Sequence, residues 1–332
     1  MLLVALVTAG CSSDDTASRT PAGDERSTTT VPGEDTEPTT TPTTSPSAEL
    51  LGAVCSGAPQ ILDEGAVPDE LTELSGLVSG RRDPAMWWAH NDSGDGARVY
   101  ALAPDGAGSI ELAATLQLTD ADGEPIEAVD WEDMAIGPPL GPDDAATLHL
   151  GDIGDNAGAR RSIAVHRVAE PALDGAATIA AVADTLTLTY PDGPHDAEAL
   201  LVDPVDGDLW IITKDWSLAG ASQLYRAPGD LEAGSTTELE HVATVSLPVA
   251  SLVTAADVSP DGSVVAVRAY GSVMLFERPT GQPLGAAFDS VPCEGPVPTE
   301  RQGEAVAFAP DGGSYVTVSE GAGAELHRTV AG

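Results

Sequence analysis

The chain has 332 residues, with 53 Asp and Glu against 14 Lys and Arg, a formal charge of −39 and a single lysine, Lys214. Such a field repels nucleic acid and anionic lipid, which argues against a DNA- or RNA-binding role. It suits a soluble extracellular surface, and it still permits an anionic ligand if a divalent cation bridges to it.

In chain order, the first feature is Met1–Cys11, "MLLVALVTAGC", an apolar run too short to span a bilayer as a helix. It resembles a bacterial lipoprotein signal in which Thr8-Ala9-Gly10 precede the lipidated cysteine, Cys11. Thr8 stands where leucine is usual, and no basic residues precede the run. An ordinary secretory peptide cleaved nearby is the alternative. Residues 11–48, with stretches such as "TEPTTTPTTSPS", bury too little apolar surface to fold and are expected to be an extended tether. The implied setting is the cell surface, with the membrane reached only through the lipid. There, Cys55 and Cys293 are left as an even pair and are expected to form a disulfide joining the two ends of the folded region.

Residues 49–332 carry a repeat. Units begin at "LSGLVSGRRDP" (Leu74), "WEDMAIGPPLG" (Trp131), "AEALLVDPVDG" (Ala197), "VTAADVSPDG" (Val253) and "GEAVAFAPDG" (Gly303). Their second residues, Ser75, Glu132, Glu198, Thr254 and Glu304, fall 57, 66, 56 and 50 residues apart. A second and a third strand-like run follow each turn, and a fourth follows in the first four units, ending with "GAAFDSV" in the fourth. Short runs, frequent turns and little helical periodicity predict an all-β chain, and four strands per unit predict a β-propeller. Five blades are expected. Six would require splitting the 66-residue interval, which holds no extra set of four strands. The fifth unit lacks a fourth strand, and the extended segment Val54–Gly65 is expected to supply it and close the ring, with Cys55 in that strand.

"SPDG" (259–262) and "APDG" (309–312) resemble the turns of secreted TolB-type and lactonase-type propellers. The set "ELSGL" (73–77), "HNDSGD" (90–95), "DWEDMA" (130–135), "GDIGDN" (151–156), "DAEAL" (196–200) and "GEAVAF" (303–308) is similar to secreted bacterial propellers of the phytase-related esterase-like and SdiA-regulated type. That resemblance implies acidic residues of the innermost strands gathered around a central funnel.

Innermost strands line the channel, so Glu132, Glu198 and Glu304 are expected to converge there. Converging carboxylates need shared protons, a cation or basic partners. Ends of the second strands and nearby loops would add His90, Asp92, Asp152, Asp155, His195, Lys214, Arg268 and Glu320 to the same mouth. Among these, Glu132, Glu198, Asp152 and Asp155 are candidate Ca²⁺ ligands. Glu132, Glu198, Glu304, Lys214 and Arg268 are candidate catalytic groups, and His90, Asp92, His195 and Glu320 candidate ligand contacts. No Gly-x-Ser-x-Gly elbow or His-Glu-x-x-His motif is present. The expected function is a monomeric, lipid-anchored propeller that binds Ca²⁺ and a small-molecule or cell-envelope ligand. The alternative is a hydrolase in the funnel, either a Ca²⁺-dependent phosphoesterase or a carboxylate-based glycoside hydrolase.

Overall fold

The structure, a computed structural model, describes residues 44–92 and 94–332. The signal-like run, Cys11 and most of the tether lie outside the described residues. Helix α1 (Pro46–Cys55) starts within the last residues read as tether, where Ser45 caps it through Ala48 N at 3.3 Å and Pro46 pre-sets the first turn. Strand β1 (Pro59–Ala66) follows.

Five units then follow in order. The first holds β2 (Leu74–Ser79), β3 (Trp87–Asn91), β4 (Arg98–Pro104) and β5 (Ile110–Thr119). The second holds β6 (Trp131–Gly137), β7 (Thr147–Asp152), β8 (Ile163–Ala169), β9 (Thr178–Val182) and β10 (Asp184–Thr189). The third holds β11 (Ala197–Val202), β12 (Leu209–Thr213), β13 (Ala221–Ala227), β14 (Thr236–Glu238) and β15 (Glu240–Ser246). The fourth holds β16 (Val253–Val258), β17 (Val264–Ala269), β18 (Ser272–Glu277), a 3₁₀ turn (Leu284–Asp289) and β19 (Cys293–Gly295). The fifth holds β20 (Gly303–Phe308), β21 (Ser314–Ser319) and β22 (Glu325–Ala331).

The described residues form five sheets, and β2, β6, β11, β16 and β20 touch one another in a closed ring. This is a five-bladed β-propeller. The first two strands of each blade are buried on both faces, which is why "AEALLV" and "VVAVRA" read as continuous apolar runs instead of alternating ones. Each gap between blades is an apolar layer, as where Val78, Trp88 and Leu116 of blade 1 meet Trp131, Met134 and Leu150 of blade 2. The two Pro-Asp-Gly turns form as expected, with Gly262 (φ 71°) and Gly312 (φ 74°) in the left-handed region.

Closure occurs as expected, with β1 antiparallel to β22 as the outermost strand of blade 5. Two details differ. Cys55 ends α1 and does not lie in the closing strand, and Cys293 opens β19, the fourth strand of blade 4, with a Cα–Cα distance of 5.1 Å across the disulfide. "GAAFDSV" forms the 3₁₀ turn, leaving that edge position to β19.

The connection between third and fourth strands behaves alike in every blade: it reaches back to the outer edge of the preceding blade. β9 pairs in parallel with β5, and β14 with β10. The 3₁₀ turn packs on β15, and α1, which precedes β1, packs on β19. In blade 1 the β4–β5 turn lies against β1 so closely that a Cβ at Gly65 would collide with the Gly108 carbonyl.

At the axis the innermost strands have no sheet neighbour on their inner side. Side chains take that place. Asp133 Oδ2 accepts from Leu200 N at 3.0 Å and Ala256 N at 3.1 Å, joining blades 2, 3 and 4. Asp257 Oδ2 accepts from Phe308 N at 2.7 Å. The Ser75 hydroxyl donates to the Glu132 carbonyl, and Thr254 Oγ1 to the Gly303 carbonyl at 3.0 Å. Ser75 and Thr254 therefore link blades. Replacing Asp133 by Ala strands buried N–H groups of two other blades and is expected to cost about 3 kcal/mol in denaturant unfolding. Asp133→Asn keeps one acceptor and should lose less; equal stability of all three proteins would contradict this role.

Candidate functional site: an acidic mouth on the propeller axis

All five innermost strands shift register one residue after their start, between Leu74/Leu77, Trp131/Asp133, Ala197/Ala199, Val253/Ala255 and Gly303/Ala305. Each shift is a β-bulge, and it leaves the second residue of the unit outside the ladder, free to aim elsewhere. Glu132, Glu198 and Glu304 occupy three of these positions. They are only 3–4% exposed, so they form the floor of the mouth and not an open wall.

Two residues before two of these glutamates stand Asp130 and Asp196, on the same side of the extended chain. Together they form two overlapping trios, Asp92–Asp130–Glu132 and Glu132–Asp196–Glu198, in each of which one oxygen per residue lies within 4.8 Å of the others. Glu132 belongs to both. Gly154 makes the approach possible, because a Cβ there would collide with the carboxylates of Glu132 and Asp130. Burial raises the Glu132 pKa strongly, and the neighbouring Glu198, Asp92 and Asp130 raise it further. Glu198 is also raised by burial, with Lys214 opposing. Asp130 is raised by burial and then by Asp196. Burial pushes Glu304 to about 8, and burial with Glu73 and Asp92 pushes Glu320 to about 6.

Lys214 is the counter-charge. Its Nζ lies 2.6 Å from Glu198 Oε1 and 3.2 Å from Tyr270 Oη. Burial would lower its pKa, but Glu198 and Tyr270 together outweigh burial and raise it, keeping the ammonium charged. The Trp216 and Tyr270 ring centroids lie 5.1 and 5.2 Å from that ammonium, and Trp216 Nε1 donates to Asp196 Oδ2 at 2.7 Å.

The structure thus brings Asp92, Glu132, Glu198, Lys214, Glu304 and Glu320 together, and moves other expected members elsewhere. Asp152 accepts from Val129 N (2.9 Å), Asp130 N (3.1 Å) and the Arg160 guanidinium (2.7 Å). Asp155 accepts from Ala159 N (2.9 Å) and Arg160 N (2.8 Å). Both carboxylates fasten the "GDIGDN" turn, whose Gly154 meets the cluster. They are turn residues, and Asp130 and Asp196 occupy the positions expected of them. Arg268 is fully buried and paired with Glu300, because Gly303 lets its guanidinium pass under the strand start. His90 is buried edge-on to Trp131, centroids 5.3 Å apart, and burial lowers its pKa to about 4. His195 sits with Asp192 (3.0 Å) and Tyr225 (2.8 Å). The alternation Asp-x-Glu, seen in both "DWEDMA" and "DAEAL", could have flagged Asp130 and Asp196; nothing local marks Trp216 or Tyr270.

No protein-family model matches the chain, and no curated protein matches its sequence. Among solved structures it is similar to a candidate 6-phosphogluconolactonase from Bacteroides uniformis ATCC 8492, with TM-score 0.36 and 16% identity over 73% of this chain and 63% of that one. It is also similar to the Dos1 propeller, with TM-score 0.36 and 10% identity over 74% of this chain and 55% of that one. The chain spans less than two thirds of either neighbour, and these likenesses carry nothing about chemistry.

The raised carboxyls make stability fall with pH. A buried carboxyl whose folded pKa is raised keeps its proton where the unfolded chain has lost it, so stability declines as pH climbs through the folded value. His90 and His149, lowered to about 4 and about 3, act oppositely, but only below their ordinary value of 6.5. From pH 6.5 to 8 the carboxyls govern. The melting temperature in chelator should drop by about 2 °C or more across that window, and added Ca²⁺ should restore more of it at pH 8 than at pH 6.5. A flat profile would remove the buried acidic cluster as an electrostatic unit.

Proposed function

We propose that this is an exported, lipid-anchored β-propeller that binds a divalent cation, Ca²⁺ first, in its acidic mouth and uses it to hold an anionic ligand. The observation that carries the reading is the pair of carboxylate trios sharing Glu132. Hard cations take oxygen ligands and tolerate mixed carboxylate and water shells, so three carboxylates on one side leave room for a ligand oxygen on the other. With a net charge of −39, an anion needs such a bridge to approach. Export and lipidation at Cys11 rest on the signal-like run and the Ser/Thr/Pro tether, and the Cys55–Cys293 bridge suits an oxidising compartment. A small-molecule or cell-envelope ligand is the partner class that this setting supplies.

A second reading is hydrolysis of a phosphoester. It is favoured by the sharing of Glu132, since adjacent cations on a common carboxylate can hold both attacking and leaving oxygens. Lys214 would add fixed positive charge; Arg268, paired with Glu300, would not. The glycoside-hydrolase reading is weaker. One carboxylate oxygen of Glu132 lies within 4.8 Å of one of Glu198, closer than the separation of about 5–9 Å that an acid–base pair flanking a sugar linkage keeps.

Because Glu132 and Glu198 are both raised, cation binding must displace protons. Calorimetry with Ca²⁺ in buffers of different ionisation heat should show proton release at neutral pH and tighter binding at pH 8 than at pH 6. Glu132→Gln should weaken binding about tenfold or more, since both trios lose a ligand. Unchanged affinity in that variant would end the cation reading. Ca²⁺-dependent turnover of a phosphoester panel would select the hydrolase over the binding protein.

A further inference from the structure

The rim of the mouth on blades 3 and 4 is built from two loops that hold each other. The loop after β12, "KDWSLAG" (214–220), meets "LPVAS" (247–251), with Ala250 N donating to the Leu218 carbonyl at 3.0 Å and Leu247 N to the Gly220 carbonyl at 2.8 Å. Leu218 (φ 60°) and Ala250 (φ 67°) are the only non-glycine residues in the left-handed region among the described residues. Side chains are disfavoured there, and such strain persists only where the surroundings enforce it, which is common at ligand-binding loops. Both strained residues lie in this one rim.

The same loops leave apolar side chains in water: Trp216 is 54% exposed, Leu218 44% and Val249 79%. The other four tryptophans, Trp87, Trp88, Trp131 and Trp210, are buried. Trp216 is nonetheless held in place, by its Nε1 hydrogen bond to Asp196 and by the Lys214 ammonium near its ring. An indole fixed along its edge and still half in water presents a rigid flat surface beside the carboxylates. Packing does not account for it.

We propose that Trp216 is the platform of a saccharide subsite, so that the ligand of this mouth is a sugar ring bearing an anionic group. The proposal deepens the cation-bridged reading above and rests on it for the anionic group. A sugar ring offers C–H groups on one face and hydroxyl donors around its edge. The open indole face takes the first. The second can meet the part-exposed carboxylates of Asp130 and Glu320, whereas Asp196, Glu198 and Glu304 are buried. A purely apolar ligand would desolvate the part-exposed carboxylates without offering them a donor, and a simple anion would need no platform. Phosphate and carboxylate are equivalent here as the anionic group, since either can reach a bound cation and Lys214.

Because the other tryptophans are buried, acrylamide quenching of intrinsic fluorescence reads Trp216. In the full chain with Ca²⁺ present, glucose 1-phosphate or galacturonate should lower the quenching slope, and neutral glucose should do so less. By calorimetry, Trp216→Ala should weaken binding of the protective sugar about tenfold or more, while Trp216→Phe, which keeps a ring, should stay within a few-fold of the parent. If no saccharide alters the wild-type quenching while Ca²⁺ still binds, the subsite is overturned and the cation reading survives. If neutral glucose protects as well as the charged sugars, the platform stands and the anionic group is overturned. Equal affinity in a folded Trp216→Ala protein also overturns the platform.

Discussion

Five strand edges face one axis, and none has a neighbouring strand to pair with. A sheet edge buried without partners leaves N–H and C=O groups desolvated, so a propeller must satisfy its innermost edges by side chains or water. Here Asp133 and Asp257 accept from the strands of other blades, and Ser75 and Thr254 donate to neighbouring carbonyls. The centre is therefore polar by necessity. The bulge that starts each inner strand follows from the same geometry, since it turns one residue per blade out of the ladder where the strands crowd together.

Once those positions exist, their chemistry is a matter of which residues occupy them. Three carry glutamate, and Asp130 and Asp196 stand beside two of these, with Lys214 as the cation at the floor. The carboxylates are buried, close together and short of positive charge. Burial first, and the repulsion between neighbouring carboxylates second, favour the protonated forms, which is the physical content of the raised pKa values. A divalent cation relieves the same repulsion without protons. On the cation reading proposed above, protons and cation would be alternatives for one cluster, and a response to either would be a response to both.

The repeat was legible in the sequence because inner strands, buried on both faces, are long apolar runs ended by turn residues. The second-residue glutamates stood out against those runs. What was not legible depends on contacts between distant segments. Asp152 and Asp155 look like cation ligands in "GDIGDN", yet nearby backbone N–H groups and Arg160 take up their oxygens. Arg268 lies one residue from a strand end, but Gly303, far along the chain, opens the space into which its guanidinium turns. "GAAFDSV" has strand composition and forms a 3₁₀ turn, because the three-residue β19 already occupies the edge of blade 4. The short parallel strands β9 and β14 carry no periodicity of their own, for each is added to the edge of a different blade.

Those added strands bear on how the ring holds. Each blade's connection between third and fourth strands covers the outer edge of the blade before it, so neighbouring blades are laced at the rim as well as packed face to face. In blade 5 the chain is interrupted inside this connection: β22 is the last strand and β1, from the other end, supplies the fourth. An interrupted lace could fray, since nothing in the backbone links β22 to α1. Helix α1 nevertheless covers β19, as the other connections cover their edges, and the Cys55–Cys293 bond fixes it there. The disulfide spans 238 residues and stands at the one place where the repeat lacks a peptide bond. Its position is set by the need to close a ring whose ends meet within a blade, and ring closure in turn holds the five inner strands, and hence the carboxylates, at one mouth.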